Sequence, residues 1–386
     1  LYYSLSRGDP DFGKLFKVKV DFDIEMEHSQ ERIRQYMRFL AGLAAEEKLL
    51  PLTLDGAGRV LEQAARVCDD QSKLTTRFGE IADLVREASF WAAKAGAKSI
   101  DRGHVRQALA ARAEREGFIE LHMREDITKR RIQVETSGEV VGQVNGLTVI
   151  DLGSYAFGMP VRLTCRTGAG KGEIVDIERE TELGGPIHTK GTLILKGILL
   201  DRFGRDTPMC LQATLCMEQS YSEVDGDSAS LAEVCAMFSS LAQAPLRQDT
   251  ALTGSIDQRG GVQTVGGVNE KIEGFYRMCQ IRDPKGNHQV MIPAANASDL
   301  MLDEDVVQAC REGRFRIITV ETLEDAMQVL SGRPWSTGKA ALRPAILRVL
   351  EELAEVQSLA NQTPRSRPRP VRPLAKAARH RRHSPT

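Results

Sequence analysis

No apolar run in this sequence approaches the 18 or so residues that a membrane-spanning helix needs, and no signal-peptide pattern opens it. None of the seven cysteines forms a CxxC pair, and their number is odd. That argues against a disulfide framework and against a structural zinc site, so no metal centre is expected. No internal repeat stands out. Net charge is also scarce, at −1 over 386 residues, and 41% apolar with 27% charged residues is ordinary for a soluble globular protein of two or three domains. The cytoplasm is the expected setting. The charge imbalance that exists sits at the end. Residues 361–386 hold seven Arg and one Lys with no acid, a charge of +8 that leaves the other residues at −9. This tail is Pro-rich and lacks aromatics, so disorder is expected. Non-specific contact with DNA or another anionic partner stands open there beside the commoner outcome, a solvated tail. The chain enters mid-pattern at Leu1 ("LYYSLSRGDPDF"), which predicts the C-terminal part of something longer.

The first third is helical by pattern. After Ser29, the residues Ile33, Tyr36, Met37, Leu40, Leu43 and Ala44 form an i, i+3, i+4, i+7 stripe. "GAGRVLEQAARVC" and "FGEIADLVREASFWAAKAG" read as two more helices, the latter with Ile81, Leu84, Val85, Ala88 and Trp91 or Ala92 on one face. A fourth follows Asp101 as cap. Four short amphipathic helices predict a small bundle. After about Ile127 come short β-rich runs broken by glycine: 139–144, 147–152, 161–165 and 173–177. The helix "KGTLILKGILLDRFG" and the strand "MCLQATLCMEQ" follow. "HQVMIP" and "RFRIITV" then each precede a helix pattern. This alternation predicts a mixed α/β domain.

Chemistry concentrates in "EVDGDSASLAEV". Leu231, Val234, Cys235, Phe238, Leu241 and Ala242 have helical spacing, and Ser230-x-x-Glu233 reads as a capping box. Capping accounts for Ser230 and leaves Ser228 over, beside the free amides of a helix start that could stabilise negative charge. On spacing alone, Asp227, Ser228 and Ser230 as alternative caps remain the simpler account. A nucleophilic serine needs a base. His188, in "GGPIHTKG", would be required for a triad; His288 falls in the polar stretch "DPKGNHQ", expected to be exposed. Neither lies in a GxSxG elbow. Lys271, in "VGGVNEKIEGF", stands in the first turn of a helix, where the backbone dipole disfavours a cation. Burial behind Val265, Val268 and Ile272 would act the same way. To serve as base near neutral pH its pKa must drop by about three, roughly 4 kcal/mol. An ordinary surface lysine is the competing account.

"DGDSAS" followed by "TGSIDQRGGVQTVGGVNEKIEG" closely resembles the Lon-type serine proteases (peptidase family S16) with a Ser-Lys dyad, in the ATP-dependent branch with Asp before the serine. The separation of 43 residues between Ser228 and Lys271 agrees with that family's. "GQVNGLTVIDLG", "GKGEIVDIERE" and "GGPIHTKG" extend the resemblance over about 140–330. It implies Ser228 as nucleophile, Lys271 as general base, Thr253 as the threonine holding the lysine amine, Asp227 as acidic neighbour, and His188 in structure or substrate binding. The helical third resembles the lid that follows the nucleotide-binding core of AAA+ ATPases. Arg77 then stands where an arginine senses nucleotide phosphates, with a solvated arginine at a helix start as the alternative. The implied order is the end of the core or connector over 1–22, an all-α lid over 23–126, an α/β Lon proteolytic domain over 127–333, and a helix with the basic tail over 334–386.

No GxxxxGK[ST] occurs; "GAGKGE" mimics only its end. The resemblance therefore implies ATP with Mg held by a phosphate-binding loop outside this chain, which alone is expected not to hydrolyse ATP. It further implies a homohexamer that threads unfolded or damaged proteins to a serine endopeptidase site. The alternatives are an ATP-independent peptidase of the same fold and a catalytically silent fragment or adaptor.

Overall fold

The computed structural model describes residues 1–362. The basic residues of the tail and its expected disorder lie outside them, beyond its first two residues, which end a helix. Among the described residues no helix is long and apolar enough to cross a membrane.

The helical part follows its apolar stripes. Gln30–Glu46 starts at Ser29, whose hydroxyl accepts from the Arg32 amide, and it buries Tyr36, Leu40 and Ala44. Leu54–Arg66 is capped by Thr53, Phe78–Lys94 buries Ile81, Leu84, Val85, Ala88 and Ala92, and Arg102–Glu116 is capped by Asp101. Their stripes meet in one core around Val60, Leu74, Val85, Ile100 and Val105. The structure adds a further helix, Phe118–Thr128, which leads into the β-rich part.

That part is mixed α/β. A seven-stranded sheet runs Phe315–Val320, His288–Pro293, Thr250–Leu252, Gln143–Asp151, Ala156–Ala169, Leu211–Glu218, Glu173–Asp176. The first four strands are parallel, Ala156–Ala169 opposes both of its neighbours, and the edge strand Glu173–Asp176 is parallel to Leu211–Glu218. The run expected over 139–144 breaks at Gly142: Glu139–Val141 leaves the sheet to pair with Pro245–Arg247. Helix Ser230–Ala242 is buried along its whole length, with Phe238 stacked on Trp335 (centroids 5.5 Å, 22°). Helix Leu342–Gln362 covers it through buried Leu342, Ile346 and Leu350. Its surface is mostly apolar, as suits a helix enclosed on every side, and the polar exceptions Ser230, Glu233, Ser239 and Ser240 are buried with it.

Helix Val268–Arg282 lies against strand Ala156–Ala169 at two glycines. A Cβ on Gly158 would meet the Glu270 carbonyl oxygen at 2.0 Å, and one on Gly274 would meet the Gly158 carbonyl oxygen at 2.0 Å. The two backbones touch because neither residue carries a side chain.

Candidate active site

The loop 219–229 joins strand Leu211–Glu218 to the buried helix Ser230–Ala242, and its last residues are pinned from both sides. The Asp225 carboxylate accepts from the Ile187 and His188 amides, capping the preceding helix, Pro186–Phe203. The Ser228 carbonyl accepts from the Gly254 amide (2.9 Å) and the Thr253 hydroxyl (3.1 Å). The Asp227 carboxylate accepts from the Ser255 hydroxyl at 2.8 Å. What remains unused is the Ser228 hydroxyl, together with the Ser228 and Ala229 amides, which have no hydrogen-bond partner among the described residues.

The capping box does not form. Ala229 occupies the cap position without a side-chain bond, and the Glu233 amide donates to the Ala229 carbonyl. The Ser230 hydroxyl instead donates to the Asp227 carbonyl (2.7 Å) and accepts from the Ile256 amide (3.2 Å). Glu233 turns inward, fully buried, and burial raises its pKa to about 7. It lies 3.9 Å from Nδ1 of His188, whose Nε2 is 2.9 Å from Asp176, off the line of a good hydrogen bond. Burial opposes a charge on this imidazole, but the Asp176 and Glu233 carboxylates outweigh it and raise its pKa to about 9. Thr192 also donates to Asp176 (2.7 Å), and Glu178 accepts from the Met217 amide (2.9 Å). Asp176, Glu178 and His188 could geometrically hold a metal ion. Hydrogen bonds within the protein already engage both carboxylates. The network ties the serine helix to the helix and edge strand beside it.

Lys271 lies in the first turn of Val268–Arg282, between buried Val268 and Ile272. Its side chain is 3% exposed and has no hydrogen-bond or ion-pair partner among the described residues. Burial lowers its pKa to about 8, against the pull of Glu270 and Asp227. That is most of the drop that base catalysis near neutrality requires. Lys271 and Ser228 line one cavity of about 920 Å³ with Asp227, Val149, Met159 and Tyr221. No hydrogen bond joins the two side chains.

The other predicted positions divide. Thr253, fully buried, donates to the Ser228 carbonyl and makes no bond to Lys271. His188 is 2% exposed in the network behind the serine. His288 is not in an exposed loop: it opens the sheet strand His288–Pro293 at 2% exposure, its pKa lowered by burial. Arg77 is not among the residues that line this cavity; it stands at the start of helix Phe78–Lys94, half-exposed, 3.6 Å from Glu80.

Residues 219–331, which hold Asp227, Ser228, Thr253 and Lys271, match the family described as the Lon protease (S16) C-terminal proteolytic domain. Residues 51–115, which hold Arg77, match the archaeal LonB AAA+ ATPase LID domain. This is a Lon proteolytic domain behind an AAA+ lid. Similar proteins include a Lon protease homologue of Escherichia coli K12, 40% identical over 301 residues covering 78% of this chain and 47% of that protein. The homologue of Haemophilus influenzae is 38% identical over 292 residues, covering 75% and 48%. The archaeal Lon protease of Pyrococcus abyssi is 29% identical over 309 residues, covering 79% and 29%. The chain thus spans about half the length of the bacterial relatives it matches. In this Lon domain the sequence motifs led to the serine and the lysine. They gave no sign of Glu233 and Asp176 flanking His188, because a carboxylate three residues past a serine reads as a cap.

Proposed function

We propose that this chain carries the proteolytic centre of a serine-type endopeptidase, with Ser228 as nucleophile and Lys271 as general base. The observation that carries it is a buried, unpartnered amine lining the same cavity as an unpartnered serine hydroxyl. Either group alone is ordinary. Both left unsatisfied around one cleft is the arrangement that nucleophilic catalysis needs.

Neutral Lys271 takes the hydroxyl proton while Oγ of Ser228 attacks the scissile carbonyl carbon. The free amides of Ser228 and Ala229 donate to the developing oxyanion. As the C–N bond breaks, the ammonium returns the proton to the leaving amine, and water then cleaves the acyl ester to restore the hydroxyl. The dyad bond is absent before substrate arrives, as is common for catalytic hydrogen bonds. Thr253 acts through the Ser228 carbonyl, holding the nucleophile's backbone. The lid supports a whole-protein role in which ATP, bound outside this chain and sensed by Arg77, drives unfolded proteins through a homohexamer to this site. Labelling with a fluorophosphonate tests the centre. Wild type should be modified at Ser228 and the variants Ser228→Ala and Lys271→Arg should not; equal labelling of Ser228→Ala would remove the serine from its role.

A further inference from the structure

The helix that presents Lys271 to the cavity is held from its other side by the lid. Arg66, the last residue of lid helix Leu54–Arg66, sends its guanidinium across to this helix. It makes a two-pronged pair with Glu273 (2.5 and 2.8 Å), reaches Glu270 at 3.5 Å, and donates to the Met301 carbonyl at 3.0 Å. Asp69, just past the same lid helix, accepts from the Asn269 side chain at 3.0 Å. Asn269, Glu270 and Glu273 bracket Lys271 in sequence, and each is bonded by a lid side chain. Residues 269 and 273 share one helix face and 271 points away from it, so the lid grips the back of the turn whose front carries the amine.

The clamp is built to matter. Arg66 is 17% exposed and Glu273 3%, and a forked guanidinium–carboxylate pair out of water is strong and directional. Glu270 and Asp227 are the two charged groups acting on the amine, one from its own helix and one from the serine loop. Arg66 draws on the first.

We propose that Arg66 is a positioning residue through which the lid controls Lys271: its guanidinium fixes the helix that presents the amine to Ser228 and screens Glu270 beside it. When the lid moves and withdraws the guanidinium, Glu270 acts unopposed, the amine holds its proton, and the base is disarmed. Engagement of the lid thereby gates hydrolysis. The inference rests on the Ser228–Lys271 reading.

The test uses the full chain and measures the rate of fluorophosphonate labelling per titrated serine against pH, with hydrogen exchange of amides 268–273 as a second readout. Arg66→Ala should slow labelling about tenfold at pH 7, move the rising limb about one pH unit higher, and speed exchange in this turn. Arg66→Lys should recover part of the rate. Glu270→Gln leaves no buried charge unpaired and should move the limb to lower pH. Arg86→Ala, which breaks a remote lid pair with Glu47, should change none of these. An unchanged rate and pH profile in both Arg66→Ala and Glu270→Gln would overturn the proposal. Wild type that is never labelled at Ser228 would sink the dyad, and the positioning role with it; exchange that still quickens in Arg66→Ala would mark that failure as one of chemistry and not of the clamp.

Discussion

Replacing Lys271 with methionine should make the protein more stable while destroying its activity. The lysine pKa falls from 10.5 to about 8 in the folded chain. A group whose folded pKa is depressed binds its proton less well folded than unfolded, so its stabilising share is present above 10.5 and is lost as pH falls through 8. Below 8 the ammonium is a full burden. At roughly 1.4 kcal/mol per tenfold, that burden is about 3 kcal/mol at pH 7. With the side chain 3% exposed, solvent screening takes little off this figure. Methionine keeps the length and apolar stem and removes the charge. Lys271→Met should therefore gain about 3 kcal/mol at pH 7, about 1.4 kcal/mol at pH 9.5, and nothing above 11. Urea denaturation over that pH range, followed by fluorescence of Trp335 in a Trp91→Phe background, isolates the proteolytic core because Trp335 stacks on Phe238 of the serine helix. The same ionisation predicts a peptidase rate that rises with pH through about 8, as the neutral amine appears. A gain that is absent, or that does not shrink with pH, would mean a solvated, ordinary ammonium and would remove the base from the mechanism.

Ser228→Ala should leave urea stability within about 0.5 kcal/mol, since the hydroxyl has no partner among the described residues, while abolishing peptide cleavage. Gly158→Ala should cost about 1–3 kcal/mol, because its Cβ would meet Glu270 oxygen at 2.0 Å and Lys271 Cα at 2.7 Å. The helix shift needed to relieve that clash should lower kcat about 100-fold, and a variant of full activity would refute the contact. Asp176→Asn should destabilise by about 3–5 kcal/mol at pH 7, by stranding a charged His188. Because His188 is raised to about 9, its stabilising share is present below its ordinary value and is lost as pH climbs through 9. The Asp176→Asn deficit should accordingly narrow by pH 10; a deficit independent of pH would show that the imidazole is neutral throughout.

Helices of the lid were legible because their stripes and caps are local: Ser29 and Asp101 each sit one turn from the amide they bond. The serine and the lysine were legible because their motifs hold each residue within a few positions of its helix start. The failures all involve partners distant in sequence. Ser230 and Glu233 have cap spacing, yet Glu233 is claimed by His188, 45 residues upstream. His288 follows a polar loop, but its pairing with Phe315 in a parallel strand puts it inside. Thr250–Leu252 is only three residues long, and nothing short of the assembled sheet reveals that it joins His288–Pro293 to Gln143–Asp151. Arg66 meets Glu273 across 207 positions, a span over which no local pattern speaks.

Where Gly158 meets Gly274, two backbones bear on each other with no side chain between to compress. Such a point behaves as a fulcrum. The lysine helix cannot rock into the sheet there; it can only swivel about the contact or slide along it. Lys271 sits over the same contact, its Cα only 2.7 Å from a Cβ placed on Gly158, so the helix turns about the residue that carries the amine. A tug on the far end of the helix then re-aims the lysine stem while its Cα stays almost in place.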